Sequence, residues 1–438
     1  MNRGAIHGAR AAVTIIALVV AGCVTATNAA EDGVAVAQTA SVPVPPKRPA
    51  EVPQAAPRPA SFEAWKRGFR RQALGAGIAA ATFDAAFARV GVNQRVLELD
   101  AYQPEFVRPI WEYLDRAVSE TRIANGRQSA DEQGGTLRRI EERYDVDIGI
   151  VAAIWGIESA YGQDYGAIPV IESLATLAYD GRRRAFAEEQ LIAALRIIQS
   201  GDVALGRMVG SWAGAMGHTQ FIPTSYEAYA VDFTGDGRRD VWAVNPADAL
   251  ASTANYLARH GWQRAEPSVI EVTLPEGFDY RLADDTTRRS AAKWQALGIR
   301  ARKAEALLPE DAVTILLPAG ARGPAFAAYP NFRVIKRYNN VTSYALAVAL
   351  LAAQLDSSIR FGLGPALDWP RNDRPLSRGE TKELQRRLTA LGYSTQGVDG
   401  IVGPNTRGAI RRFQAVKGMV PDGYLSSALL AELRAAGG

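Results

Sequence analysis

Glu158 is introduced by a run of almost unbroken apolar sequence, Ile148-Gly-Ile-Val-Ala-Ala-Ile-Trp-Gly-Ile157. A carboxylate at the end of such a helix, flanked by Trp155 and Ile157, is partly desolvated, and desolvation raises its pKa. An acid that stays protonated near neutral pH is what cleavage of a glycosidic bond asks of a general acid. The plainer reading is a helix-terminal Glu turned to solvent or paired with an Arg.

Two further constellations can carry chemistry. The stretch Ser211-Trp-Ala-Gly-Ala-Met-Gly-His-Thr-Gln-Phe-Ile-Pro-Thr-Ser-Tyr226 sets small residues beside uncharged hydrogen-bonders, Ser211, Gln220 and Tyr226, and aromatics. The small residues let a ligand or a neighbouring element approach the backbone. Such a lining suits sugars; tight helix packing around the glycines is the competing reading. In Asp232-Phe-Thr-Gly-Asp-Gly-Arg-Arg-Asp240, Asp232, Thr234 and Asp236 alternate as in the first half of an EF-hand loop. Gly237 takes the turn, and Arg238 the position that offers a main-chain carbonyl. Position twelve falls on Ala243, which cannot ligate, so Asp248 would supply the last carboxylate from a longer loop. The alternative is an Asp/Gly turn closed by its own side-chain hydrogen bonds.

Other chemistries drop out on composition. The 438 residues include one Cys, Cys23, and three His, His7, His218 and His260. No disulfide framework or Cys/His zinc site can be assembled from these, and a Cys nucleophile would have to be Cys23. The motifs G-x-S-x-G, H-E-x-x-H and G-x-x-x-x-G-K-[ST] are absent. A net charge of +4 is too mild to argue for nucleic acid.

The elements that must hold these residues are mostly helical. From Ser61 onward Phe62, Trp65 and Phe69, then Phe83 and Phe87, then Ile110, Trp111 and Leu114 fall at helical spacing. Val269–Leu274 and Val313–Leu317 read as strands around a short helix near Ser290–Leu297, and helix returns at Ser343–Leu355. This predicts a helical domain with a small α/β insertion at 265–330. A second boundary lies at Asp368–Pro375, where proline and charge interrupt the pattern. Beyond it, Ser377 with Glu380 has capping-box spacing ahead of Leu384, Leu388 and Leu391. Pro404 stands at a helix start, and Ser426 or Ser427 caps a last helix through Leu433. The segment 371–438 carries 11 basic against 6 acidic side chains, which suits a module holding an acidic wall.

At the other end, Arg3 and Arg10 precede an apolar run, Ala11–Ala21, too short to span a bilayer. It ends Val20-Ala21-Gly22-Cys23, which resembles a bacterial lipobox, where the signal is cut before a Cys that receives lipid. A plain secretory signal cut near Ala30 is the alternative. Seven prolines in 38–60 then favour an extended tether.

Together the motifs resemble the membrane-bound lytic murein transglycosylase B family, glycoside hydrolase family 103. The matching stretches are Trp155–Gly162, Ala213–Tyr226, Ala230–Gly237, Ala254-Asn-Tyr-Leu257 with Gly261-Trp262, and Lys336–Tyr344, in collinear order over roughly 61–365. The tail, with Leu384-Gln385, Asp399–Pro404, Thr406, Ala409-Ile410 and Phe413-Gln414, is similar to the three-helix peptidoglycan-binding module.

The resemblance implies a mainly α, lysozyme-like catalytic domain at 61–367 with the α/β insertion, followed by the module at 371–438. Residues 1–22 would be the signal peptide and 23–60 the tether. It implies cleavage of the β-1,4 bond between N-acetylmuramic acid and N-acetylglucosamine, with a 1,6-anhydro product and Glu158 acting as acid, then base. Ser211, Gln220, Tyr256, Tyr338, Asn339 and Tyr344 fall on its substrate-lining positions. No cofactor is required; structural Ca2+ would sit on Asp232, Thr234, Asp236, Arg238 and Asp248. The partners implied are peptidoglycan glycan strands and, through a lipid on Cys23, the outer membrane facing a Gram-negative periplasm. The protein would act as a monomer, without nucleic acid. Two departures stand out: the family's Asn-x-Ser reads Asn339-Asn340-Val341 here, and the calcium loop is longer before its last acid. Two rivals stay open. One is a hydrolytic muramidase recruiting Asp164 or Glu172, the other a non-catalytic wall-binding scaffold.

Overall fold

The computed structural model describes residues 59–101, 109–284, 286–302, 307–356 and 367–436. The signal, Cys23 and all but the last two residues of the tether lie outside them. Ser61 starts the first helix, its Oγ accepting from Ala64 N at 3.1 Å. Helices α1 (Phe62–Gly75), α2 (Ala80–Phe87), α3 (Gln94–Ala101) and α4 (Ile110–Ala117) follow. The aromatics of the first two stack, Trp65 on Phe69 at 5.3 Å and Phe83 on Phe87 at 4.3 Å. Next come α5 (Glu120–Glu132), α6 (Gly134–Tyr144) and α7 (Ile148–Ser159).

Apart from Ile148 and Glu158, every residue of α7 is buried. A helix apolar all round has no face to give to water and must be central. It packs on α5, α6, α11 (Ala247–Arg259) and α14 (Thr342–Leu355). Around this centre lie α8 (Val170–Asp180), α9 (Arg184–Ser200), α10 (Pro223–Tyr229) and α13 (Pro330–Tyr338), and a two-stranded ribbon, β1 (Ile168–Pro169) with β2 (Val209–Gly210).

The insertion is a four-stranded antiparallel sheet in the order β4-β3-β6-β5 with one helix, α12 (Ala291–Ala296). Its strands are β3 (Val269–Thr273), β4 (Arg300–Ala301), β5 (Thr314–Leu316) and β6 (Ala325–Ala328). Because side chains alternate across a strand, Ile270 and Val272 join Trp294, Val313 and Ile315 in a core of their own. Val269 and Phe326 turn the other way, into the main core. The sheet is thus buried on both faces.

Past Trp369, which packs near Trp111 and Phe326, three helices enclose a third core. These are α15 (Arg378–Ala390), α16 (Pro404–Val416) and α17 (Ser427–Ala436). The Ser377–Glu380 capping box forms at α15, and Ser426 is the residue whose hydroxyl accepts from Leu429 N. Leu384, Leu388, Ile410, Phe413 and Leu430 fill the centre. The three-helix unit leans on the insertion through Asp422 to Ala321 N at 2.9 Å and Arg322 to Asp373 at 2.6 Å.

Candidate active site

Glu158 sits in the last turn of α7, just before Ala160 closes the helix in the left-handed region at φ 49°. It is the one polar side chain of the helix that keeps part of its surface open. Tyr344, at the start of α14, donates its hydroxyl to Glu158 Oε1 at 2.6 Å. Burial pushes the Glu158 carboxyl up to about 7, against the pull of that hydrogen bond, which favours the ionised form. Tyr338 and Tyr113 also face the carboxylate, and burial followed by the charge of Glu158 raises both phenols. No Arg or Lys pairs with Glu158 among the described residues. The solvent-turned or Arg-paired alternative is therefore not what the fold builds. The group can hold a proton near neutral pH and release it.

The loop from Ser211 to Phe221 forms one wall, folded on itself by bridges from Met216 to Gly210 and Phe221. Its polar side chains mostly serve that folding. Ser211 Oγ accepts from Ala213 and Ala215 N, and Gln220 Nε2 donates to the carbonyls of Tyr165 and Gly217. Both residues keep part of their surface open. Tyr226 is fully buried and donates to the Arg239 carbonyl at 2.5 Å, so it braces the acidic loop rather than lining an opening.

An aromatic cluster packs against this loop. Tyr256 stands edge-on to Tyr338 at 5.0 Å, and Phe221 lies 5.8 Å from Tyr338. The Tyr256 hydroxyl donates to the Arg337 carbonyl and that of Tyr338 to the Thr219 carbonyl, each at 2.6 Å. Both phenol hydroxyls are therefore committed to backbone carbonyls. Asn339 is buried, its Oδ1 accepting from Val341 N at 3.2 Å. Val341 occupies the cap of α14, where a Ser would bond the first turn, and no side chain caps that helix.

The acidic loop brings Asp232, Asp236 and Asp248 together, with one oxygen of each within 4.8 Å of the others. Asp232 accepts from the backbone N–H of Gly235, Asp236 and Gly237. Asp248 reaches across from α11 to accept from Phe233, Thr234 and Asp240 N. The structure builds the Asx-type turn and also gathers the three carboxylates into one all-oxygen cluster. The cluster suits a hard cation such as Ca2+, with Thr234 and the Arg238 carbonyl as further donors. Burial raises the Asp248 carboxyl despite its three N–H partners, and the charge of Asp232 adds to this.

Sequence reasoning missed three contributors. Tyr113 offered only a helical period on α4, yet its buried hydroxyl has no hydrogen-bond partner among the described residues and faces Glu158. Asp147 precedes α7 and accepts from Trp262 Nε1 at 2.7 Å and Ala265 N at 3.2 Å, fixing the helix start. His218, named in the sequence only for what three histidines cannot assemble, lies between Trp155 and Ala243 and is bonded to both.

The transglycosylase SLT domain matches residues 61–353, and a peptidoglycan binding domain matches 377–433. The chain is 32% identical over 243 residues to membrane-bound lytic murein transglycosylase B of Escherichia coli, covering 54% of this chain and 64% of that relative. It is thus aligned with somewhat under two thirds of that relative's length. SltB3 from Pseudomonas aeruginosa, crystallised with NAG-anhNAM-pentapeptide, is 50% identical with a TM-score of 0.82, covering 86% of this chain and all of that one. A lytic transglycosylase of Escherichia coli in complex with calcium is 26% identical with a TM-score of 0.59, covering 67% of this chain and 93% of its own.

Proposed function

The chain belongs to the transglycosylase SLT domain family, and on that premise we propose that it is a lytic murein transglycosylase. The bond cut is the β-1,4 link from N-acetylmuramic acid to N-acetylglucosamine. Glu158, neutral because burial holds its carboxyl near 7, gives its proton to the oxygen leaving C1. The carboxylate so formed, held by Tyr344, takes the proton of the sugar's own 6-hydroxyl as that oxygen bonds to C1. A 1,6-anhydro ring closes, no water is consumed, and Glu158 ends protonated as it began. Intramolecular attack benefits from a high effective molarity. The sugar's 2-acetamido carbonyl eases the positive charge developing at C1. Tyr256, Tyr338 and Tyr344 position the ring together with Ser211, Gln220 and Asn339.

The observation that carries this reading is the Glu158 carboxyl at the end of the buried helix α7, bonded by Tyr344 and pushed up to about 7 by burial, with no second carboxylate among the groups shaping it. A hydrolase would need a second acid. Asp164 is exposed and accepts from its own turn at Gly166 N, while Glu172 accepts from Asn93. Support also comes from SltB3, which binds an anhydro-sugar peptide.

In this reading residues 61–367 cut and 371–438 grip the wall, as a monomer. Cys23 carries a lipid that tethers both to the outer membrane from the periplasmic side; no described helix is long and apolar enough to cross a membrane. The acidic loop holds Ca2+ through Asp232, Asp236 and Asp248 with Thr234 and Arg238. When bound, the ion neutralises crowded carboxylates and takes no part in bond cleavage. The test is product analysis of digested sacculi for the wild type and Glu158→Gln. Wild type should release muropeptides one water lighter than hydrolytic products, and the variant should lose at least about 1,000-fold in rate while staying folded. Hydrolysed ends from wild type, or retained activity in the variant, would overturn the assignment.

A further inference from the structure

His218 is the point where three parts of the fold meet. The Trp155 indole N–H, one turn before Glu158, donates to His218 Nδ1 at 3.1 Å. An indole can only donate, so Nδ1 is bare and the proton sits on Nε2. Nε2 then donates to the Ala243 carbonyl at 2.8 Å. The same residue's backbone repeats the bridge. His218 N donates to the Val241 carbonyl at 3.0 Å, and Ser159 Oγ donates to the His218 carbonyl at 2.6 Å. Ser159 Oγ in turn accepts from Gly162 N at 2.9 Å.

Two of these bonds run to α7 on either side of Glu158, and two run to the segment 241–243. That segment leaves the acidic loop at Asp240, whose N–H donates to Asp248 Oδ2 at 3.1 Å. The imidazole is 6% exposed and lies 5.5 Å from the Tyr165 ring. Gly162, at φ +82°, lies so close that a Cβ there would run into it. Every polar atom of His218 is therefore engaged, and its ring has no room to turn.

We propose that His218 is a positioning residue, holding the Glu158 end of α7 against the acidic loop so that the order of the loop reaches the carboxyl. It touches no substrate. The inference rests on the reading of Glu158 as the acid, and it gives the loop a route to the chemistry that does not pass through sugar. The groups facing Glu158 are the phenols Tyr113, Tyr338 and Tyr344, and the charge facing His218 is Asp240. A loosened α7 end admits water to the Glu158 carboxyl and makes it a stronger acid.

The experiment measures kcat, KM and the alkaline limb of the pH profile for wild type, Glu158→Gln, His218→Leu, His218→Gln and Trp155→Phe. All are assayed well below their melting temperatures. His218→Leu should lower kcat at least tenfold, keep KM within twofold and move the alkaline limb downward. His218→Gln, whose amide can still donate to Ala243, should recover most of kcat. Trp155→Phe should give a milder version, and the Leu/Phe double variant should be no worse than His218→Leu alone. A folded His218→Leu enzyme with wild-type kcat and limb overturns the proposal, as do additive losses in the double variant. If His218→Leu does not fold, Trp155→Phe decides by the same limb. An active Glu158→Gln would instead sink the assignment of the acid, a separate outcome.

Discussion

Glu158 and the Asp232–Asp236–Asp248 cluster are both acidic sites, and the fold treats them in opposite ways. Glu158 is one carboxyl with one hydrogen-bond donor, Tyr344, in a wall of phenols and aliphatics, and burial raises it to about 7. Asp232 also meets a raising influence from burial, but the N–H groups of Gly237, Gly235 and Asp236 outweigh it and keep the carboxylate below its ordinary value. Asp248 falls between: it is 2% exposed, and three N–H groups do not fully offset its desolvation. Burial alone therefore does not decide which carboxylate keeps its proton. Desolvation and donors decide together: with three N–H donors each, the partly exposed Asp232 is lowered and the buried Asp248 is raised. A general acid needs few, and a charge-holding site needs many.

The largest expected departure comes from erasing the ionisable group at the dry site. The folded chain holds Glu158 near 7 against an ordinary value of 4.5, so folding disfavours its charged form. Its neutral form is unpenalised below about pH 4, and the penalty grows as pH rises through 7. Glu158→Gln should therefore match wild type in stability near pH 4. It should exceed wild type by up to about 3 kcal/mol at pH 9, at about 1.4 kcal/mol per pKa unit. Urea unfolding at the two pH values checks this; equal gains at both would mean that the carboxyl is not neutral in the fold.

Much of this was legible in the sequence, for reasons that differ by element. The apolar run before Glu158 announced a helix with no wet face, and α7 is buried apart from Ile148 and Glu158. The strand-type run Val269–Leu274 marked β3 and the capping box marked the start of α15, because both are local rules. What stayed hidden depends on which side chains meet across the core. Tyr344 is far from Glu158 along the chain, and nothing local signals that its hydroxyl ends on Oε1. The resemblance implies lining positions for Tyr256 and Tyr338, but does not foresee that their hydroxyls donate to the carbonyls of Arg337 and Thr219. Spacing cannot foresee such pairings, since loop geometry sets them.

A smaller effect should come from removing the single donor at the dry site. The Tyr344 hydroxyl stabilises the ionised form of Glu158, so its loss leaves the carboxyl still harder to ionise. Tyr344→Phe should shift the alkaline limb of activity upward by up to about one pH unit. The maximal rate should fall roughly tenfold, because the carboxylate that must act as base has lost its partner. A downward shift would mean that Tyr344 serves mainly to exclude water.

The smallest effect belongs to the wet site, where the change is one of occupancy and not of protonation. Three oxygens of Asp232, Asp236 and Asp248 lie within 4.8 Å, and none of the three side chains is ion-paired among the described residues. A divalent cation binding there only in the folded chain stabilises it by mass action. At three times its dissociation constant, Ca2+ should add about 0.8 kcal/mol, on the order of 2 °C in melting temperature. Asp248→Asn should abolish that increment, since Asp248 is the ligand that closes the loop from α11. The same substitution removes a carboxylate whose burial already opposes its charge. Without calcium the variant already loses some stability, because the Asn amide nitrogen cannot accept from Asp240 N as Oδ2 does, and the two melting curves should separate further as the ion is added. If they separate equally without it, the loop is held by its Asx turn alone, and the contrast between the two sites reduces to hydrogen bonding.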